Sequence, residues 1–399
     1  MIRIFFVIAL VAIGLAGGCA TSAKETRTPE IQIPETTYTL EFLTSVQWGD
    51  APQQYNDIAG YADSESGTYL VFVGAQDSVA VVDVSQPENP EILSIIEVPY
   101  HKSNHDIFVF ERYLYIVTEL TYISSTKEFV SLPGLQIVDL SDPRSPKSSF
   151  YGESFTSAHT IFVDPETKLL YAAGAYLGDE DRGMRILDIS DPLYPREVGS
   201  YTKGQVHEVY AKGDLAYTAE SEFEKAGRVG VLDVSDLSNI KILGETTSPW
   251  SKPHSTWLSE DARYLVVADE GYRIDYDMWK IFRAESGFSI YEIRNPEMGE
   301  LIPELRRISY YSHPDTTVHQ IYVRGNLLFA SWYTEGVKVF DISDPEKPAM
   351  IMSFDTSKLT PEFEEFGGAW GLWPYDPRGE YIYVSDMQEG LVVLRMVEK

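Results

Sequence analysis

The chain has 399 residues, enough for one large domain or two ordinary ones, and its 44% hydrophobic content supports a real core. With 32 basic against 61 acidic residues, the net charge of −29 repels nucleic acid and anionic lipid and excludes both as partners. A single cysteine excludes internal disulfides, and 26 tyrosines with 7 tryptophans suit an all-β protein whose strands use aromatic side chains.

Residues 1–19, MIRIFFVIALVAIGLAGGC, place a positive charge at Arg3 before an apolar run from Ile4 to Leu15 and then Ala16-Gly17-Gly18-Cys19. The run is too short for a permanent span and reads as an export signal over residues 1–18. Its ending resembles a bacterial lipobox, in which Cys19 becomes the lipidated N-terminus, with Ala16 standing where Leu is commoner. Ala20 after the cysteine does not resemble the Asp signal that retains lipoproteins at an inner membrane, so an outer-membrane lipoprotein is expected, facing the periplasm or the surface. Residues 19–37 are polar, carry two prolines and read as a flexible tether. Membrane contact is thus expected through the lipid anchor only.

From residue 38 to 399 the chain repeats itself. NHDIFVFERYLYIVTE from Asn104, AHTIFVDPETKLLYAAG from Ala158, VHEVYAKGDLAYTAE from Val206, PHSTWLSEDARYLVVADE from Pro253 and VHQIYVRGNLLFASW from Val318 share one plan. Each has a histidine, an alternating strand, a turn and a second strand. Five of the seven histidines occupy this one place. A second marker follows, as in IVDLSDPRSP from Ile137, ILDISDPLYP from Ile186 and VFDISDPEKP from Val339. Alternating β-branched residues running into Asp-x-Ser-Asp-Pro describe a strand ending in a turn, in which Asp and Ser bond nearby backbone N–H groups and Pro stops pairing. Turn capping, rather than calcium ligation, accounts for these acids, because nothing gathers several of them at one point.

Units starting near Asn56, His105, His159, His207, His254, His319 and Trp370 lie 47 to 65 residues apart, the period of a four-stranded propeller blade. The last unit ends after strand C, Gly390 to Arg395, and the alternating segment Thr37 to Trp48 precedes the first unit unassigned. That segment supplies the missing strand. The expectation is an all-β, seven-bladed β-propeller closed by its N-terminal strand joining the last blade.

The repeats LQIVDLSDP, MRILDISDP, GVLDVSD and VKVFDISDP, with the ending GGAWGLWPYDPRGEYIYVSDMQEGLVVLR, resemble the choice-of-anchor B family of LVIVD-repeat proteins over about residues 40 to 397. The resemblance implies an exported propeller at the cell surface or envelope, attached here through Cys19, and no particular reaction.

In a propeller, strand A of each blade lines the central channel and strand B returns antiparallel, so the starts of A and the ends of B share a face. The starts carry His105, His159, His207, His254 and His319, with Trp370 at the last. The ends of B carry Glu119, Glu220, Asp269 with Glu270, and Asp386. Adjacent acids on a strand face opposite ways, so at most one of Asp269 and Glu270 reaches the channel.

Three roles stay open for these histidines. They can clamp blade to blade by hydrogen bonds; they can bind zinc, copper or a similar ion, which neutral imidazole suits; or they can line a pocket for a small molecule, peptide or protein, walled by Trp370, Trp332 and Tyr272. No G-x-S-x-G, P-loop, HExxH or CxxC motif occurs, so no catalytic residue is assigned. A binding or scaffold module is expected, with a metal-dependent oxidase or hydrolase as the alternative. The insertion GYRIDYDMWKIFRAESG, residues 271–287, and the loop LTPEFEEFGG, residues 359–368, are placed on the histidine face.

Overall fold

The computed structural model describes residues 38–49, 54–99, 105–119, 122–123, 128–129, 134–177, 180–221, 227–248, 252–275, 280–283, 286–294, 304–313, 316–359 and 367–399. The export signal, Cys19, the tether and the acidic part of the 359–368 loop lie outside these residues. Seven antiparallel sheets of four strands form a seven-bladed β-propeller. Strands are lettered A to D from the axis outwards. Blade 1 spans Tyr55 to Glu97, blade 2 His105 to Tyr151, blade 3 Thr160 to Tyr201 and blade 4 Val206 to Thr247. Blade 5 spans Pro253 to His313, blade 6 Ile321 to Phe354, and blade 7 takes Ala369–Trp373, Tyr381–Asp386 and Gly390–Glu398 as its strands A to C.

The outer strand of blade 7 is Tyr38–Val46, which pairs antiparallel with Gly390–Glu398 from Tyr38↔Glu398 to Val46↔Leu391. First and last strands of the chain thus share one sheet. Leu40 enters the core beneath this closure, and Glu41 meets Arg395 at 2.7 Å on its exposed side.

The alternation in each strand has a direct consequence for packing. A blade presents two apolar faces, and each packs on a neighbour, so the core is a circle of seven clusters, one per seam. Tyr115, Leu135 and Ile137 of blade 2 meet Val163 and Leu170 of blade 3, for example. At about 1.5–3 kcal/mol for each fully buried large apolar side chain, these seams carry the fold. Among the described residues no helix is long and apolar enough to cross a membrane.

The Asp-x-Ser turns join strands C and D on the face opposite the histidines. Asp83, Asp139, Asp188, Asp233 and Asp341 each accept, through Oδ1, the backbone N–H two residues on, at 2.8 to 3.0 Å. Asp142, Asp236 and Asp344 do the same for the following turn at 3.1 Å. These carboxylates are occupied by capping.

Two connections between strands B and C emerge on the histidine face as short hairpins. Tyr272–Asp275 pairs with Lys280–Arg283 in blade 5, within the insertion seen in the sequence. Tyr122–Ile123 pairs with Glu128–Phe129 in blade 2, where the sequence analysis placed nothing.

Candidate functional site

The start of strand A determines what faces the channel. In blade 4, Val206 pairs with Glu220 and Glu208 with Ala219, leaving His207 as the extra residue of a β-bulge. Blade 5 has the same irregularity between Pro253 and Thr256, and blade 7 between Ala369 and Gly371. In blade 6 Ser331 serves two residues: its carbonyl accepts from the His319 N–H, and its own N–H donates to the Gln320 carbonyl. In blade 3 His159 precedes the strand and lies against Gly174, whose φ of 56° belongs to the left-handed region. A Cβ at Gly174 would stand 2.9 Å from that of His159. A bulge re-aims a side chain, so the imidazole and the residue after it both turn inward.

The result is a stack of four imidazoles around the channel mouth. Ring centroids are 4.1 Å apart for His159 and His207, 4.2 Å for His207 and His254, and 4.3 Å for His254 and His319. Trp370 continues the series at 4.5 Å from His319, and Tyr333 lies 5.0 Å from the same ring. At one end His159 Nδ1 is hydrogen-bonded to Glu119 Oε1. At the other, His319 Nδ1 donates to the Trp370 carbonyl at 2.7 Å. Both acceptors lack a proton to give, which fixes the hydrogen on Nδ1 of each ring.

The two inner rings differ. Nδ1 of His207 and Nδ1 of His254 are buried without a hydrogen-bond partner. Burial, reinforced by the neighbouring imidazoles, holds His207 well below the ordinary histidine range, and burial with His319 and Lys252 does the same to His254. Burial takes His319 down to about 4. These rings are neutral at physiological pH.

Glu270 completes the lining. Its Oε2 accepts from Lys252 Nζ at 2.9 Å and stands 3.9 Å from His254 Nε2, while Oε1 accepts from Tyr333 O–H at 3.0 Å. Burial works to raise its pKa, but the Lys252 ammonium together with His319 and His207 outweighs it, and the net shift is downward. Glu270 is therefore a buried carboxylate.

Other residues picked out in the sequence sit elsewhere. His105 is the clearest departure. Strand A of blade 2 has no bulge, so His105 pairs with Thr118 in regular alternation and turns away while Asp106 faces inward. Its Nδ1 lies 3.2 Å from Thr118 Oγ1, toward the Ala75–Gln76 backbone of blade 1, and burial lowers its pKa to about 4. Glu220 is taken up by Arg228 at 2.6 Å, Tyr201 O–H and Thr218, in the seam of blades 3 and 4. Asp269 accepts from Ser248 Oγ and the Lys252 N–H. Asp386 caps its own turn through the N–H groups of Gln388 and Glu389. Trp332 is fully buried in blade 6 against Tyr311 and Phe340, too deep to wall a pocket. Tyr272 lies in the blade 5 hairpin.

Beneath the imidazoles lie two layers the sequence analysis passed over. Asp57, Asp106 and Glu208, each directly after the bulge position or its counterpart, form a carboxyl level. Asp57 Oδ2 accepts from the Ile107 N–H at 2.9 Å, Asp106 Oδ2 from the Ile161 N–H at 2.6 Å, and Glu208 Oε1 from the Thr256 N–H at 3.3 Å. Each acid thus binds the backbone of the next blade. Gln320 Nε2 donates to Asp57 Oδ1 at 3.0 Å, reaching past blade 7 because Gly371 has no side chain; a Cβ there would be 2.5 Å from Gln320 Oε1. Burial raises all three pKa values, and for Asp106 the adjacent Asp57 adds to it, so the two share a proton.

Deeper still, aromatic rings fill the channel. Phe162 lies 4.8 Å from Tyr210, Tyr210 4.9 Å from Trp257, and Trp257 4.7 Å from Tyr322. Contacts also join blades that are not neighbours, Phe162 with Trp257 at 6.2 Å and Trp257 with Tyr375 at 5.9 Å. Rings meeting across the axis close that end. The signal was present in the sequence, as HDIF, HTIF, HEVY, HSTW and HQIY put an aromatic three residues after every repeat histidine.

The fold and this channel define a seven-bladed β-propeller, and the family model for the LVIVD repeat matches residues 174–203, 317–356 and 369–394. The chain thus carries LVIVD-type repeats on a seven-bladed propeller. No curated protein matches the chain. Among solved structures it is similar to the β-propeller domain of Cps50 (Swd1) from Myceliophteria thermophila, with a TM-score of 0.58 at 12% identity over 89% of this chain and 98% of that one. It is also similar to a functionally unknown protein from Desulfotomaculum acetoxidans, with a TM-score of 0.51 at 16% identity over 72% of this chain and 83% of that one. The RRP9 WD40 repeats give a TM-score of 0.54 at 10% identity over 92% and 100%. At these identities the likeness concerns the fold.

Proposed function

We propose that the protein is an exported, lipid-anchored binding module of the bacterial envelope, with the imidazole-lined channel mouth as its binding site. One observation carries the site: Nδ1 of His207 and Nδ1 of His254 are buried and have no partner. A blade clamp requires each histidine to bond the neighbouring blade, as His159 does through Glu119 and His319 through the Trp370 carbonyl. The two inner rings contribute no such bond through Nδ1, and an unsatisfied buried nitrogen costs stability. An incoming ligand would satisfy them. The aromatic rings lie across the channel beneath the imidazoles, and the net charge of −29 favours cationic or neutral ligands over nucleic acid.

The anchor rests on the sequence around Cys19, and with Ala20 following it the outer membrane is the proposed location, periplasmic or surface-facing. Radiolabelled palmitate should enter the wild-type protein and be absent from Cys19→Ala; label that survives the substitution removes the anchor. For the site, simultaneous His159→Ala, His207→Ala and His254→Ala should leave the melting temperature largely unchanged. A collapse of melting would make the rings structural.

A metal-dependent oxidase or hydrolase is the second reading, favoured by the spacing of the ring nitrogens: those of His159, His207 and His254 lie within 4.8 Å of one another.

A further inference from the structure

We propose that His159, His207 and His254 bind one late first-row transition-metal ion, zinc(II) or copper(II), leaving a coordination position open toward the channel mouth. The inference rests on the mouth being the binding site and names its ligand class.

Each of the three residues offers one ring nitrogen, all within 4.8 Å of one another. Nitrogens around a tetrahedral ion with bonds of about 2.0 Å stand about 3.3 Å apart, so the rings need close by no more than about 1.5 Å. Neutral imidazole is the donor these ions prefer, whereas calcium and magnesium require oxygen. His254 is almost fully buried, its side chain 5% exposed, with Nδ1 unpartnered. His159 is 31% exposed and lies at the open side. Three protein nitrogens with a solvent-facing fourth position is the arrangement of a metal site that exchanges ligands.

The surroundings match. A metal-bound histidine characteristically donates its other N–H to a carboxylate or backbone carbonyl, and Glu119 holds His159 in that way. His254, Glu270 and His319 form a second set of donors at metal-binding distance. There, however, the Lys252 ammonium already sits 2.9 Å from the Glu270 carboxylate and opposes a cation. Glu270 consequently serves as a balancing charge beside His254, and the ion belongs to the first set.

The test uses the exported chain purified without a histidine tag, stripped with chelator and titrated calorimetrically with zinc(II) or copper(II) alone. One equivalent per chain is expected. His207→Ala should weaken binding by more than about 100-fold, and Glu119→Gln by about 10–100-fold with the stoichiometry retained. His159→Ala, at the exposed end of the set, serves if His207→Ala fails to fold. His105→Ala should bind like wild type, and the copper(II) spectrum should show imidazole nitrogen coupling that His159→Ala reduces. Wild-type binding no tighter than that of His207→Ala or His159→Ala overturns the proposal, as does equal loss in His105→Ala. If the metal fails while the triple variant still melts like wild type, only the metal assignment falls; if the triple variant also collapses, the binding mouth falls with it.

Discussion

His105 and His207 hold the same place in the repeat, one residue before an inward-facing acid, yet they end in different surroundings. His207 is the extra residue of a bulge and enters the imidazole stack. His105 is paired residue for residue with the next strand and is buried against Thr118 in the seam of blades 1 and 2. One additional residue in the ladder separates an imidazole of the channel stack from one packed in a seam. The side-chain period of a strand is two, so a shift of one residue exchanges its faces.

The largest effect comes from removing what both positions require, a closed ring. A chain starting at Pro52 lacks the strand Tyr38–Val46 and exposes the edge of Gly390–Glu398. It should be insoluble or melt far below one starting at Pro34, by differential scanning calorimetry. Equal melting would show that closure does not depend on this strand.

Next comes the contrast itself. His105→Ala should cost about 1–3 kcal/mol in chemical denaturation, because it empties a buried site and leaves Thr118 Oγ1 without its partner. The His159, His207 and His254 triple variant should cost less than that single change. The reverse order would place the clamp in the stack.

Acid should sharpen the difference between the two layers of the channel. His207 and His254 are held below the ordinary histidine range when folded, whereas an unfolded histidine takes up its proton near pH 6.5. Their contribution is fully present above that pH and is lost as pH falls toward the folded values. Relative to wild type, the triple variant should therefore gain stability as pH drops from about 6.5 to about 4. His105 keeps its own share of this dependence in that variant, since its folded value is about 4.

The smallest effect concerns the carboxyl level, where the sign is opposite. Burial and Asp57 raise Asp106, so its contribution is present at low pH and declines as pH rises. Asp106→Asn retains an oxygen for the Ile161 N–H and an N–H for Asp57 in place of the shared proton. Melting should be unchanged or a few degrees higher at pH 7–8, with the gain shrinking at pH 5. A clear loss at pH 8 would mean that the ionised acid is the stabilising form.

What the sequence determined by itself is local or periodic. The Asp-x-Ser turns were legible because Asp83, Asp188 and Asp341 bond N–H groups only two residues away. The blade number followed from the repeat period, and closure followed from one alternating segment left over before Asn56 and one strand missing after Gly390. The gathering of imidazoles followed in outline, since a repeat carries its residues to equivalent places around an axis. Tertiary structure decided which of them meet. Glu220 is drawn from the mouth by Arg228, and Trp332 is consumed by packing on Phe340, through contacts that no spacing encodes. Asp57, Asp106 and Glu208 face inward beneath the imidazoles because bulges or their absence decide which way each side chain points. A bulge depends on cross-strand register, and register is settled only when the whole blade packs.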